Sequence, residues 1–457
     1  MRSIGQFAPQ SSMSATTTKK VNTKAMRIHG KWYDVEGFNH PGGPVMISLG
    51  KGRDATGLFE SHHPFTSRAR LEKLLAKYET HEPCRLLDES DQGTEFEWPE
   101  YENKDGKVAD GAPVSAFGKE LVDQVKHYFE GEAKRRGVSL LDATKATPMR
   151  WLELFVLFSL FLATLPGFFR GEYWTLIAMP LTYWVIGVNI FHDGSHFALS
   201  RHWRVNALAT YIGWYFSSPI EWYHQHVIGH HVYANIPRKD PDLYHNNAME
   251  RHTHTLRWKP MHAHQPSTWL PIWVIGTFAM NYLKPLQMEM SGHYNRAVAK
   301  MEMTRSRWLL HWAGRVFVYA MCHLLPFALF PWPKAILFAV VPVTIVSLCF
   351  MLSSQINHLT SPNIDQYSSD FYKHQVLTSH TVGKDSYLTF LFTGGLNFQI
   401  EHHLFPCVNH CHHRALQPIV QRLCKKHNVP YHYTPTLYQA FRKYIDHLKE
   451  LAVKPSQ

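Results

Sequence analysis

A chain of 457 residues with a formal charge of +11 and 45% hydrophobic residues is long enough for more than one domain. Its apolar residues gather in long runs set between water-facing stretches, the pattern of a membrane protein with soluble parts, and its basic residues form no concentrated stripe, which argues against nucleic acid as a partner. Six scattered cysteines do not make a small disulfide scaffold and fit reduced thiols facing the cytosol.

Residues 1–25 are rich in Ser, Thr and Lys, hold no acidic residue and have no apolar stretch of the signal-peptide kind. They are expected to form a disordered tail, with a transit peptide as the alternative. From Met26 a compact unit begins: 27–29 and 32–35 read as two short strands turned at Gly30-Lys31, followed by the loop Asn39-His40-Pro41-Gly42-Gly43. His40-Pro41-Gly42-Gly43, with Asp54-Ala55-Thr56 and Phe59, resembles the cytochrome b5 fold. That resemblance implies a b-type haem in a small α+β domain spanning 26–83, with His40 as one axial ligand. His62 and His63 are both candidates for the other; the family's fused members place it four residues after the aromatic, which selects His63. Two imidazoles saturate the iron, so such a haem carries electrons and does no oxygen chemistry of its own.

Residues 84–114 are acidic and rich in turn formers, and read as a linker. Over 115–136, Phe117, Leu121, Val122, Val125, Tyr128 and Phe129 recur at helical spacing, predicting an amphipathic helix that docks on the next domain or lies on the membrane. The remainder, 115–457, is expected as an all-α membrane domain. Runs 151–169 and 173–191 form one spanning hairpin, and 308–330 and 334–352 a second, each run near the roughly 20 residues that a span needs. Runs 207–220 and 268–283 are expected to be interfacial or re-entrant, because a span at either would put the histidine clusters on opposite sides of the bilayer. Between 192 and 307 there are twelve Lys/Arg against seven Asp/Glu. The clusters and the haem domain are therefore expected to be cytosolic.

Those clusters are His192-Asp193-Gly194-Ser195-His196, His226-Val227-Ile228-Gly229-His230-His231 and Gln399-Ile400-Glu401-His402-His403. Helical residues three or four apart share a face, so His192/His196, His226/His230 and Gln399/His402/His403 are each expected to aim at one centre. All-imidazole ligation suits Zn, Cu, Fe or Ni and disfavours Mg or Ca. A fused electron-carrying haem selects iron, and so many nitrogens suggest two non-haem irons with room for O2. The run Cys407-Val408-Asn409-His410-Cys411-His412-His413 tempts a zinc reading, but no second ligand pair lies beyond it at finger spacing, and it is expected as exposed helix or loop.

The haem unit, the order of the three boxes and the glutamine opening Gln399-Ile400-Glu401-His402-His403-Leu404-Phe405-Pro406 together resemble the cytochrome b5-fused front-end fatty acyl desaturases, over nearly the whole chain from Met26. The resemblance implies His192, His196, His226, His230, His231, His402 and His403 as catalytic iron ligands, and His358 of Asn357-His358 as an eighth. It puts Gln399 where related acyl desaturases have histidine, binding weakly, through water, or only by hydrogen bonds. Asp193, Asp240, Asp242 and Glu401 are candidate partners for the outer ring nitrogens; His224, His380, His410, His412 and His413 fall outside the pattern and are read as non-ligands.

The resemblance further implies O2-dependent insertion of a cis double bond between an existing double bond and the carboxyl end of a polyunsaturated acyl chain, carried on CoA or phospholipid. NADH-cytochrome b5 reductase is the implied electron donor and the endoplasmic reticulum membrane the implied location. The first two boxes and Asp240-Pro241-Asp242 look more like Δ5 and Δ4 members than Δ6, and Δ5 on C20 chains is the reading taken. Δ4, Δ6 or Δ8 selectivity, a sphingoid-base desaturase, a lipid hydroxylase, and a membrane-anchored haem electron carrier without enzymatic activity are the alternatives.

Overall fold

A computed structural model of the chain describes residues 22–88, 93, 96–99 and 115–455. The expected tail up to residue 21 and most of the expected linker lie outside them. The front unit opens with an antiparallel hairpin, Met26–Ile28 paired with Lys31–Tyr33. Its two-residue turn falls one residue earlier than the sequence suggests, at His29-Gly30. Both take positive φ, 48° and 77°, the mirror-image turn that matches strand twist and needs glycine's freedom at its second position. Helices Pro44–Gly50, Thr56–His62 and Arg68–Leu75 come next and close on a core of Met26, Ile28, Tyr33, Val35 and Ala55.

Helix Ala116–Arg136 starts at a Ser115 cap, whose Oγ accepts from Gly118 N, and stops at Gly137 in the left-handed region. Its buried stripe of Phe117, Leu121, Val125 and Phe129 packs into the same core as Phe371, Leu416 and Val420. Each such aromatic contributes about 1.5–3 kcal/mol by leaving water. The helix therefore docks on the protein, not on the membrane. Phe96 and Trp98 from the expected linker join that core.

Among the described residues, four helices are long and apolar enough to cross a membrane: Pro148–Arg170, Thr175–Ser195, Arg305–Leu329 and Trp332–His358. They carry outward-facing apolar residues, such as Leu152, Phe155 and Leu160 on the first and Val316, Phe317 and Leu324 on the third. In water such faces would be unstable, whereas lipid satisfies them. Runs 207–220 and 268–283 do not form spans of this kind. The first breaks into helix Trp203–Ala209 and a tight turn Thr210–Tyr215; the second is helix Gln265–Phe278 with one wider turn, Ala279–Leu283, packed on the fourth span.

Wider, π-helical winding recurs where it affects the site. It occupies Gly187–Phe191, immediately before the first histidine cluster, and Tyr223–His230, through the second.

Candidate metal centre

The second span ends in His192 and His196, the fourth ends in His358, and the short helix Gln399–Leu404 carries the third cluster. Their ring nitrogens converge in two groups. His192, His196, His226, His231 and His402 offer nitrogens all within 4.8 Å of one another, and His230, His358 and His403 do the same beside them. His192 Nε2 lies 2.8 Å and His231 Nε2 3.1 Å from His226 Nε2; His230 Nε2 lies 3.2 Å from His358 Nε2.

This division corrects the face-sharing expected from α-helical spacing. In the second cluster hydrogen bonds run i→i+5, so residues five apart share a face. His226 joins His231, and His230 turns to the other group. In the third cluster the adjacent His402 and His403 part, one to each group, and Gln399 goes with His403: its Nε2 is 2.8 Å from His358 Nε2.

Outer partners fix which nitrogen faces inward. His358 Nδ1–H donates to Thr378 O at 2.9 Å, and His230 Nδ1–H to Asp240 at 3.1 Å. Asp240 is itself held by the N–H groups of Asn235 and Asp242. His403 Nδ1–H donates to Gln375 Oε1 at 2.9 Å, with the Gln375 amide oriented by its own donation to His231 O. Each bond fixes a proton on Nδ1 and turns Nε2 toward the interior. Burial first, then the neighbouring rings, holds His196, His226, His231, His402 and His403 well below the ordinary histidine value, hence neutral. Burial would lower His230 as well, but Asp240 and Asp242 outweigh it and bring it up to about 9.

These residues fit two metal ions. Buried nitrogens with no hydrogen-bond partner cluster here, among them both ring nitrogens of His196, His402 Nε2 and His403 Nε2. Buried polar atoms left unmatched are costly, and a cation between neutral imidazoles removes that cost. Of the carboxylates singled out in the sequence, Asp240 meets a histidine of the groups directly, and Asp242 accepts from Gln225 with its Oδ2 3.6 Å from His230 Nδ1. Asp193 serves Asn409 and His410, and Glu401 accepts from Tyr431 Oη.

The run Cys407–His413 is not the exposed segment expected. His410, His412 and His413 are buried, and His410 and His413 stand against His402. No sequence motif flags Gln375, Thr378 or His410 as outer partners.

His40 and His63 face each other with ring centroids 5.9 Å apart, which leaves space for one ion between them, and Phe59 packs on His63. Burial lowers both, His40 to about 4. His63 and His62 each turn Nδ1 to the carbonyl four residues back, Phe59 O and Leu58 O, and it is the His63 ring that stands against His40. This unit sits directly on the histidine clusters. Gly57 abuts Val232, the residue after His231, and Phe65 stacks on Phe405 at 5.7 Å, two residues after His403. Arg53 donates to Ala299 O, and Gly43 approaches Trp203 so closely that a Cβ there would lie 2.6 Å from its ring.

A cavity runs from His192, His226, His230 and His358 between the aromatic walls Trp184, Phe216 and Phe350. A largely apolar space ending on histidine nitrogens suits a hydrocarbon chain.

Residues 169–435 match the fatty acid desaturase family and residues 13–81 the cytochrome b5-like heme/steroid binding domain. Over 94% of its length the chain is 28% identical to acyl-lipid (8-3)-desaturase B of Dictyostelium discoideum, covering 91% of that protein. It is 25% identical to Delta(5) fatty acid desaturase A of the same organism, over 94% of this chain and 90% of that one. To an acyl-lipid (7-3)-desaturase of Diacronema lutheri it is 27% identical, over 93% and 89%. With two converging histidine groups, an aromatic-walled cavity beside them, four candidate spans and a front domain docked on the boxes, the chain belongs to the fatty acid desaturase family and carries a cytochrome b5-like domain at its front.

Proposed function

We propose that the enzyme is a front-end desaturase acting between an existing double bond and the carboxyl end of a polyunsaturated acyl chain, as a Δ5 enzyme on C20 substrates. The observation that carries this reading is the junction of the five- and three-histidine groups with the apolar cavity, beside the docked haem-type domain. The relatives named (8-3) and Delta(5) support the position; the (7-3) relative makes product analysis the discriminating measurement.

His192, His196, His226, His231 and His402 would hold one iron, His230, His358 and His403 the other, and His40 with His63 the haem. Two irons supply the means to take two hydrogens from an unactivated chain with O2, which becomes two waters using two electrons from the C–H bonds and two relayed through the haem. The protein's own part is positional. The cavity walls exclude water from the chain, Trp184, Phe216 and Phe350 set which carbon lies beside the histidines, and the outer hydrogen bonds keep each imidazole pointed inward.

NADH-cytochrome b5 reductase is the proposed electron source, an acyl lipid the proposed carrier, and the endoplasmic reticulum membrane, with boxes and haem domain cytosolic, the proposed location. The basic excess over 192–307 supports that orientation. Expression in yeast fed C18, C20 and C22 polyunsaturated acids, with product double bonds located by mass spectrometry, tests the reading. A new Δ5 bond in C20 chains is expected. A new bond only at Δ4 of C22 chains would transfer the selectivity, and no new bond in any fed acid, with haem absorbance intact, would overturn the desaturase reading.

A further inference from the structure

Gln399 stands at the three-histidine group, and its carboxamide offers a metal site two opposite things: an oxygen lone pair at one end, an N–H donor at the other. Which end faces the histidines is decided by Asn357. Asn357 Nδ2 lies 2.7 Å from Ser353 O and 3.1 Å from Leu396 O. Both neighbours are carbonyl acceptors, so the Asn357 amide is fixed with its nitrogen on that side. The same nitrogen lies 3.2 Å from Gln399 Oε1. Turning Gln399 over would bring two NH2 groups together, so its oxygen is held away from the centre.

The Gln399 nitrogen is then the end that faces the group, 2.8 Å from His358 Nε2. That histidine nitrogen is bare, because its Nδ1–H is committed to Thr378 O. A carboxamide nitrogen has no lone pair to give a metal. Three imidazoles leave an ion's coordination open on one side, and Gln399 lines the cavity together with His230 and His358.

We propose that Gln399 is not a metal ligand but a positioning donor, presenting an N–H to whatever exogenous ligand fills the open side of the second ion. The inference rests on the two-iron reading above. It also explains why glutamine differs from histidine here: a histidine would add a ligand, whereas the locked amide adds a hydrogen bond.

The test uses the full-length protein, with non-haem iron measured per haem and azide titrated optically against the oxidised protein as a small anionic ligand. Gln399→Ala and the isosteric Gln399→Glu, which retains an oxygen for Asn357 but has no N–H, are compared with wild type and with the ligand-loss control His358→Ala. Both Gln399 variants are expected to retain wild-type iron while azide affinity falls roughly tenfold, the loss expected for a hydrogen bond to a charged group. The control is expected to fall to about one iron. A fall to about one iron in Gln399→Ala, or unchanged azide affinity in both variants, would overturn the donor role. Wild-type protein with an intact haem but without two non-haem irons would instead sink the two-iron reading, and this inference with it.

Discussion

His410 Nε2 stands 3.1 Å from His402 Nδ1, and the far nitrogen of His410 meets the Gly394 carbonyl oxygen, with Asp193 Oδ1 3.0 Å away. Both neighbours are acceptors, so the His410 proton sits on Nδ1 and its Nε2 accepts from His402. His402 Nε2 is thereby left bare for the five-histidine group. His410→Ala should lower iron affinity and desaturation about 10–100-fold, the usual cost of losing an outer partner, with haem absorbance unchanged. Competition with a graded series of chelators measures the first effect. An affinity within twofold of wild type would show that His410 does not orient His402.

The two redox sites should separate cleanly. His63→Ala is expected to abolish both haem absorbance and desaturation; His402→Ala should abolish desaturation and leave the haem spectrum intact. Removing non-haem iron with a chelator should mimic the second variant and be reversed by ferrous iron. Loss of the haem band in His402→Ala would mean that the sites are not independent.

The cavity predicts chain discrimination. Ser354 lies on its wall near Phe350 and His358, and Ser354→Phe fills part of the space. Turnover of C20 chains should fall at least tenfold, with both iron pools retained. Equal turnover would remove this cavity from the substrate path.

Glu60 gives the haem-type domain a pH dependence. It is buried, ion-paired to Arg68 and 2.7 Å from His29 Nε2. Burial would raise its carboxyl, but the His29 hydrogen bond and Arg68 outweigh that and hold it below the ordinary 4.5. The folded chain therefore binds fewer protons there than the unfolded one. The stabilisation is complete above about pH 4.5 and is lost as pH falls through the lowered folded value. Thermal loss of the haem band between pH 6 and 3.5 should steepen with acid in wild type. In Glu60→Gln it should start from a lower temperature at pH 6 and vary less, whereas parallel curves would assign the acid sensitivity to other groups.

Much of the architecture was legible because it rests on local signals. Apolar runs near 20 residues marked the four candidate spans, and the register from His40 through Phe59 to His63 set the haem-type loop. The allocation of histidines to two groups was not legible, since π-helical winding over Tyr223–His230 leaves no mark in residue type. His410 escaped because it reaches His402 across the turn at Phe405–Asn409. Gln375 and Thr378 come from helix Phe371–Leu377 and its end, a tertiary neighbour with no motif of its own. The burial of His410 and His412 arises from packing against Phe129, Lys145, Asp193 and Gly394, distant partners that composition does not encode.

The wide turn through the second cluster has a consequence for the spacing of the centre. Because His226 and His231 leave one side of it and His230 the other, a single stretch of backbone fixes the spacing of both groups, and His402-His403 repeats the arrangement from the opposite wall. The two halves of the centre thus share two rigid crosspieces, whereas the first cluster serves one half alone. The distance between the two halves is therefore set by backbone, and not by side-chain rotamers, while each half keeps its own set of histidines.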